Sequence, residues 1–152
     1  MQKLSSDAKR FNRITQFLGR ISQKRHLNIV TYILTWLLAK LTILSRKGQP
    51  KHSVEGITKE WLRMFPQGIC SIEKFEDKTG YGLVHADCSL VGTGNVDACY
   101  KMMNYDREMI KMLGGTLTVI ESRANPEVNH CCKVAIRASS DRRADLIPAH
   151  QI

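Results

Sequence analysis

The hydrophobic period of this chain changes once, at Pro66, and that change limits its architecture more than any other feature. Before Pro66 the apolar residues recur at helical spacing; after it they alternate as strands do. Residues 5–24 predict a first helix, capped by Ser5 or Ser6, with Phe11, Ile14, Phe17, Leu18 and Ile21 on one stripe. Residues 27–45 predict a second helix, closed by Lys47-Gly48-Gln49-Pro50. A third, 53–65, carries Val54, Ile57, Trp61, Leu62 and Phe65 and stops at Pro66. Beyond it, 69–76 and 81–89 read as a hairpin about Asp77-Lys78-Thr79-Gly80. A long helix over 95–113 ends at Gly114-Gly115. Strands Thr116–Ser122 and Cys131–Ala138 follow, with a turn at Asn125-Pro126. The order implies an α+β protein: N-terminal helices, then a four-stranded antiparallel sheet of two hairpins with a crossing helix. With 152 residues, a single domain is expected. It divides into a basic helical part (1–65), a ββαββ part (66–138) and a flexible tail (139–152).

The net charge of +9 is unevenly placed. Residues 1–65 hold thirteen Lys+Arg against three acids, whereas 66–152 hold ten against eleven. Aromatic interleaving is sparse in the basic half, and the link between the first two helices lacks a glycine. A solvated basic face is therefore expected rather than a nucleic-acid surface. The five cysteines are odd in number and form no CxxC. No secretory signal is read at the start, so reduced thiols in the cytoplasm are expected. Residues 27–44 are apolar enough to raise the question of a membrane, and Lys24, Arg25, Arg46 and Lys47 flank them. Asn28, Thr31, Tyr32, Thr35 and Thr42 nevertheless share one side of that helix, opposite Leu27, Val30, Leu34, Leu37, Leu38, Leu41 and Leu44. Such amphipathicity predicts a leucine side buried in the core or in a homodimer seam, with peripheral membrane contact the lesser reading.

Chemistry concentrates in the second half. Val96, Cys99, Met103, Asp106, Ile110 and Leu113 share a helical face, which sets the Asp106 carboxylate on an apolar stripe. A buried carboxylate needs a partner or a shifted pKa, and such groups cluster at sites. The plainer alternative is an edge residue satisfied by Arg107, another arginine or a backbone amide. Strand alternation puts Val84, Ala86 and Cys88 on one face, with Leu83, His85 and Asp87 on the other. Likewise Cys132, Val134 and Ile136 oppose Cys131, Lys133 and Arg137. Cys88, Cys99, Cys132 and Asp106 should thus meet in one layer, although each cysteine taken singly reads as a small buried hydrophobe. His85-x-x-Cys88 and His130-Cys131-Cys132 have ligand-type side chains, but strand phase points them apart, so no metal is expected. Gly92-Thr93-Gly94 is not a complete phosphate loop, and neither GxSxG nor HExxH occurs. No cofactor is implied.

Three motifs together resemble a known family: Cys88-Ser-Leu-Val-Gly-Thr-Gly, then Met103-Asn-Tyr-Asp106 on a helix, then Cys132-Lys-Val134 on the last strand. Their order is similar to that in the L-2-amino-thiazoline-4-carboxylic acid hydrolase family, and the layout resembles the wider vinyl-reductase/TRAPP-type ligand-binding fold. The chain departs from the pattern at Met103, where the family has cysteine, and at Asn125-Pro126-Glu127 in place of a Gly-Asp turn. The resemblance implies a small-molecule hydrolase that cleaves the C–N bond of a cyclic amidine-like substrate through a thiolate. Cys88 would be the nucleophile and Asp106 the acid/base or amidine anchor. Cys99, Met103, Cys132 and His85 would form the substrate-binding set, and His85 or a helix N-terminus would lower the thiol pKa. The competing expectation is a non-catalytic module of the same fold, binding a small ligand or assembling as a dimer through helix 27–45.

Overall fold

A computed structural model describes residues 4–152. Residues 1–3, assigned above to the basic helical part, lie outside the described residues. The expected α+β order is present: α1 (Ser6–Ser22), α2 (Asn28–Ser45) and α3 (Val54–Arg63) precede β1 (Cys70–Glu76) and β2 (Thr79–Val84). Next come α4 (Val96–Met102), α5 (Asn104–Met112), β3 (Gly115–Glu121) and β4 (Cys132–Ala138). Ser5 caps α1 through Ala8 N–H, and Ser53 caps α3 through Gly56 N–H. The expected single helix over 95–113 is two, interrupted at Met103, where ψ is 1°. Both halves keep one buried face, so Cys99, Met103, Asp106, Ile110 and Leu113 all lie inside.

All sheet pairings are antiparallel, in the order β1-β2-β4-β3, so the two hairpins join through their second strands. The first hairpin turns on two residues rather than four: Asp77 and Lys78, at φ 47° and 55°, form the tight turn, while Thr79 and Gly80 already belong to β2. β2 ends at Val84, not at residue 89. Val84 pairs with the first residue of both neighbours, Cys70 and Cys132, and the pairing stops just past it, where His85 N–H donates to Ile69 O (2.7 Å). Residues 87–89 turn to α1 instead, where Asp87 N–H donates to Asn12 Oδ1 (3.1 Å) and Ser89 Oγ donates to Gln16 O (2.9 Å).

The core lies between the sheet and helices α3 and α5. Trp61 is fully buried, and Gly82 makes room for it: a Cβ there would stand 2.7 Å from the indole ring. Phe65 packs edge-on against Trp61 (5.3 Å between centroids), Phe11 (5.5 Å) and Tyr105 (6.1 Å), which fastens α1 and α5 to α3.

Two regions depart from their sequence patterns. α2 packs with its polar side inward: Thr31, Thr35 and Ala39 have no exposed surface, while Ile29 (75%), Leu44 (72%) and Leu41 (59%) face outward. The threonines tolerate burial because Thr31 Oγ1 donates to Leu27 O (3.0 Å) and Thr35 Oγ1 to Thr31 O (2.7 Å). Asn104 then donates to Thr35 Oγ1 (3.0 Å), and Tyr105 Oη and Thr42 Oγ1 share a 2.9 Å hydrogen bond, which lock that side to α5. The segment 139–152, expected to fray, is held by ions. Arg137 is buried on the outer face of β4 and grips Asp145 (2.7 Å), while Arg143 Nη2 donates to Asp77 O (2.7 Å). His150 stacks on Tyr100 at 3.8 Å. A buried guanidinium needs carboxylates, and this segment supplies them.

Candidate functional site

The extended residues after β2, the inner side of α4 and α5, and the start of β4 surround a cavity that α1 and α2 close from above. Its volume, about 130 Å³, is close to that of cavities that hold one benzene-sized molecule. The walls are mainly apolar, built from Phe11, Leu18, Leu38 and Phe65 among others. Five of the six residues singled out from sequence line it: Cys88, Cys99, Met103, Asp106 and Cys132.

His85 does not line the cavity. It sits one step out of phase on the opposite face of the strand, exposed, with its Nε2 3.0 Å from Ser71 Oγ. Period-two alternation sends its ring away from Cys88, so it supplies no charge to that thiol.

The three cavity thiols differ in electrostatics. Burial pushes the Cys88 thiol above its usual range. Leu90 N–H donates to its Sγ (3.4 Å) and only partly offsets that burial, and the thiol itself points to Met102 Sδ (3.8 Å). Cys132 moves the other way, to about 7, first through the neighbouring Cys99 thiol and then through Arg123 N–H, which donates to its Sγ at 3.4 Å. The Arg123 charge adds to this, while the neighbouring Cys132 and burial drive the Cys99 thiol well up. Cys132, rather than Cys88, is therefore the thiol held closest to its ionised form.

Asp106 is buried, with 5% of its surface exposed, and is raised to about 6 by that burial. Its Oδ1 accepts from Trp61 Nε1 at 3.1 Å, which opposes the shift. The neighbouring Arg107 turns away and donates to Tyr100 O (2.7 Å). The partner of Asp106 is thus an indole from α3 and not Arg107. Sequence reading treated Trp61 only as core, although a buried indole N–H always calls for an acceptor. It also passed over Arg123, whose Nε is buried beside the cavity with no hydrogen-bond partner. Its position in a turn between strands gave no periodic signal. Among the described residues, no group of three or more His, Cys, Asp or Glu is arranged to hold a metal ion.

Fold and site together define an α+β protein with a small, thiol-lined cavity that carries one buried carboxyl group. No family model, curated protein or solved structure matches the chain.

Proposed function

We propose that the cavity hydrolyses a C–N bond in a small cyclic amidine, with Cys132 as nucleophile and Asp106 as proton donor. The observation that carries this reading is the meeting of a thiol and a buried carboxyl, Cys132 and Asp106, in one small apolar cavity, with the thiol displaced downward by its neighbours and the carboxyl upward by burial. Cys88, the nucleophile expected from sequence, becomes a wall residue in this scheme because burial keeps it protonated. The Cys132 thiolate attacks the amidine carbon and forms a C–S bond. The C–N bond breaks as the leaving nitrogen takes the proton held by Asp106. Water then adds to the sulfur-bound carbon, the thiolate departs, and Asp106 recovers a proton from that water. An unpartnered guanidinium nitrogen at Arg123 supports a substrate that also carries a carboxylate.

A series of small cyclic amidines with and without a carboxylate, followed by NMR for C–N cleavage, tests the reading. Turnover should require Cys132 and should peak between pH 6 and 7, where thiolate and carboxylic acid coexist. Cleavage that persists in Cys132→Ser, or no cleavage in the whole series, would sink it.

A further inference from the structure

The outward side of α2 is explained neither by the core nor by the cavity. Val30, Leu34, Leu37, Leu41 and Leu44 follow one another at spacings of four and three. Ile29, Ile33 and Trp36 widen the stripe, and all but the half-buried Leu34 are exposed. The helix Arg25–Ser45 is long and apolar enough to cross a bilayer by composition, yet only 17% of its apolar window is buried inside the protein. A contiguous apolar face of this kind marks a contact surface.

Charge selects the occupant. From residue 8 to residue 54 there is no Asp or Glu, while ten Lys and Arg fall in that stretch. Among the described residues none of those ten forms an ion pair. Lys24, Arg25 and Lys47 stand exposed at the two ends of α2, and Lys40 stands on the stripe itself with its ammonium over the Trp36 ring (4.2 Å). Two copies meeting through this face would bring two surfaces of like charge together, with Glu108 of α5, beside Ile33 and Trp36, too little to neutralise the basic groups of both. An anionic bilayer offers hydrocarbon for the stripe and phosphate for its flanks. Spanning is opposed by the inner side of the helix, which is fastened to the fold at Asn28 by Lys101 (2.9 Å), at Thr35 by Asn104 and at Thr42 by Tyr105.

We infer that α2 is a membrane-docking helix, lying flat in the interface of an anionic phospholipid surface with Ile29, Ile33, Leu37, Leu41 and Leu44 inserted and Lys24, Arg25, Lys40 and Lys47 at the headgroups. Cosedimentation of the full chain tests this, using phosphatidylcholine vesicles with and without phosphatidylglycerol. Binding should be at least roughly tenfold tighter to the mixed vesicles, since each basic group near such a surface adds its own attraction. It should weaken with added salt, and salt should strip the protein off. Leu37→Glu/Leu41→Glu should abolish binding with the thermal midpoint retained, because both positions already face outward. Ile29→Gln/Leu44→Gln provides a second, uncharged variant with the same expected loss. The inference is overturned if neither vesicle type binds, or if binding is equal for both and resists salt and alkaline wash, as a spanning helix would. It is also overturned if sedimentation shows a dimer that the two variants dissociate without any lipid dependence.

Discussion

The two sides of the cavity's roof behave in opposite ways. Below it, in the layer between α4, α5 and the sheet, polar groups are few and, the Arg123 guanidinium apart, have defined neighbours: Asp106 with Trp61, Cys132 with Cys99 and the Arg123 N–H. Above it, on the outer side of α2, apolar groups are many and have none. The difference shows that apolarity in this chain is divided between two purposes. Only one of them is stability; the core closes without Leu37, Leu41 and Leu44 of α2, using Leu34, Leu38 and threonines whose hydroxyls are satisfied within their own helix.

Substitutions can break this contrast, and the largest effect is expected at Cys132. Cys132→Ser should lower turnover by roughly a thousandfold or more, and the rate of thiol labelling near neutral pH by roughly tenfold or more, whereas Cys88→Ser should leave most of both. Equal loss in the two variants, read by iodoacetamide labelling with mass spectrometry, would erase the distinction between the thiols.

Asp106 should dominate the pH dependence of stability inside the layer. Its carboxyl stays protonated in the folded chain up to about pH 6, whereas in the unfolded chain it ionises near its ordinary 3.8. The folded state therefore binds more protons in that window, and stability falls as pH rises from about 4 to about 6, by up to about 3 kcal/mol. Asp106→Asn should flatten that fall in urea titrations across the window; an unchanged slope would mean that the carboxyl is not buried as described.

The third effect pairs the two sides directly. Gly82→Ala places a methyl 2.7 Å from the Trp61 ring, which has nowhere to move, and should cost about 1–3 kcal/mol. Leu41→Gln, a larger chemical change on the outer side of α2, should alter stability by less than about 0.5 kcal/mol. Chemical denaturation of both variants decides the matter, and a comparable loss at Leu41 would show that the outer stripe contributes to the fold. The smallest effect belongs to the hairpin: Lys78→Gly relieves a left-handed φ of 55° and should raise stability by about 0.5 kcal/mol in the same assay.

Much of this molecule was legible in the sequence wherever alternation or helical spacing had a single physical solution. The face of Val84, Ala86 and Cys88, the stripe from Cys99 to Leu113 and the order of helices and strands all follow from period alone. Period was silent about direction. It separated the threonine side of α2 from the leucine side, but which side turns inward depended on Asn104 and Tyr105, more than sixty residues away. The thiol ranking was hidden for a similar reason, since it rests on Cys99 and Arg123 meeting Cys132 in space. The terminal segment seemed free because its charges have no local pattern; their partners, Arg137 and Asp77, lie in the sheet and its turn.

The hydrogen bond between Trp61 and Asp106 has an optical consequence. The chain has two tryptophans, and the other, Trp36, is exposed on α2. Trp36→Phe leaves a protein whose whole indole emission comes from a ring bonded to the carboxyl that titrates near 6. Intensity and wavelength should then step at that pH, so that the protonation state of the cavity can be read in solution without a label or a substrate.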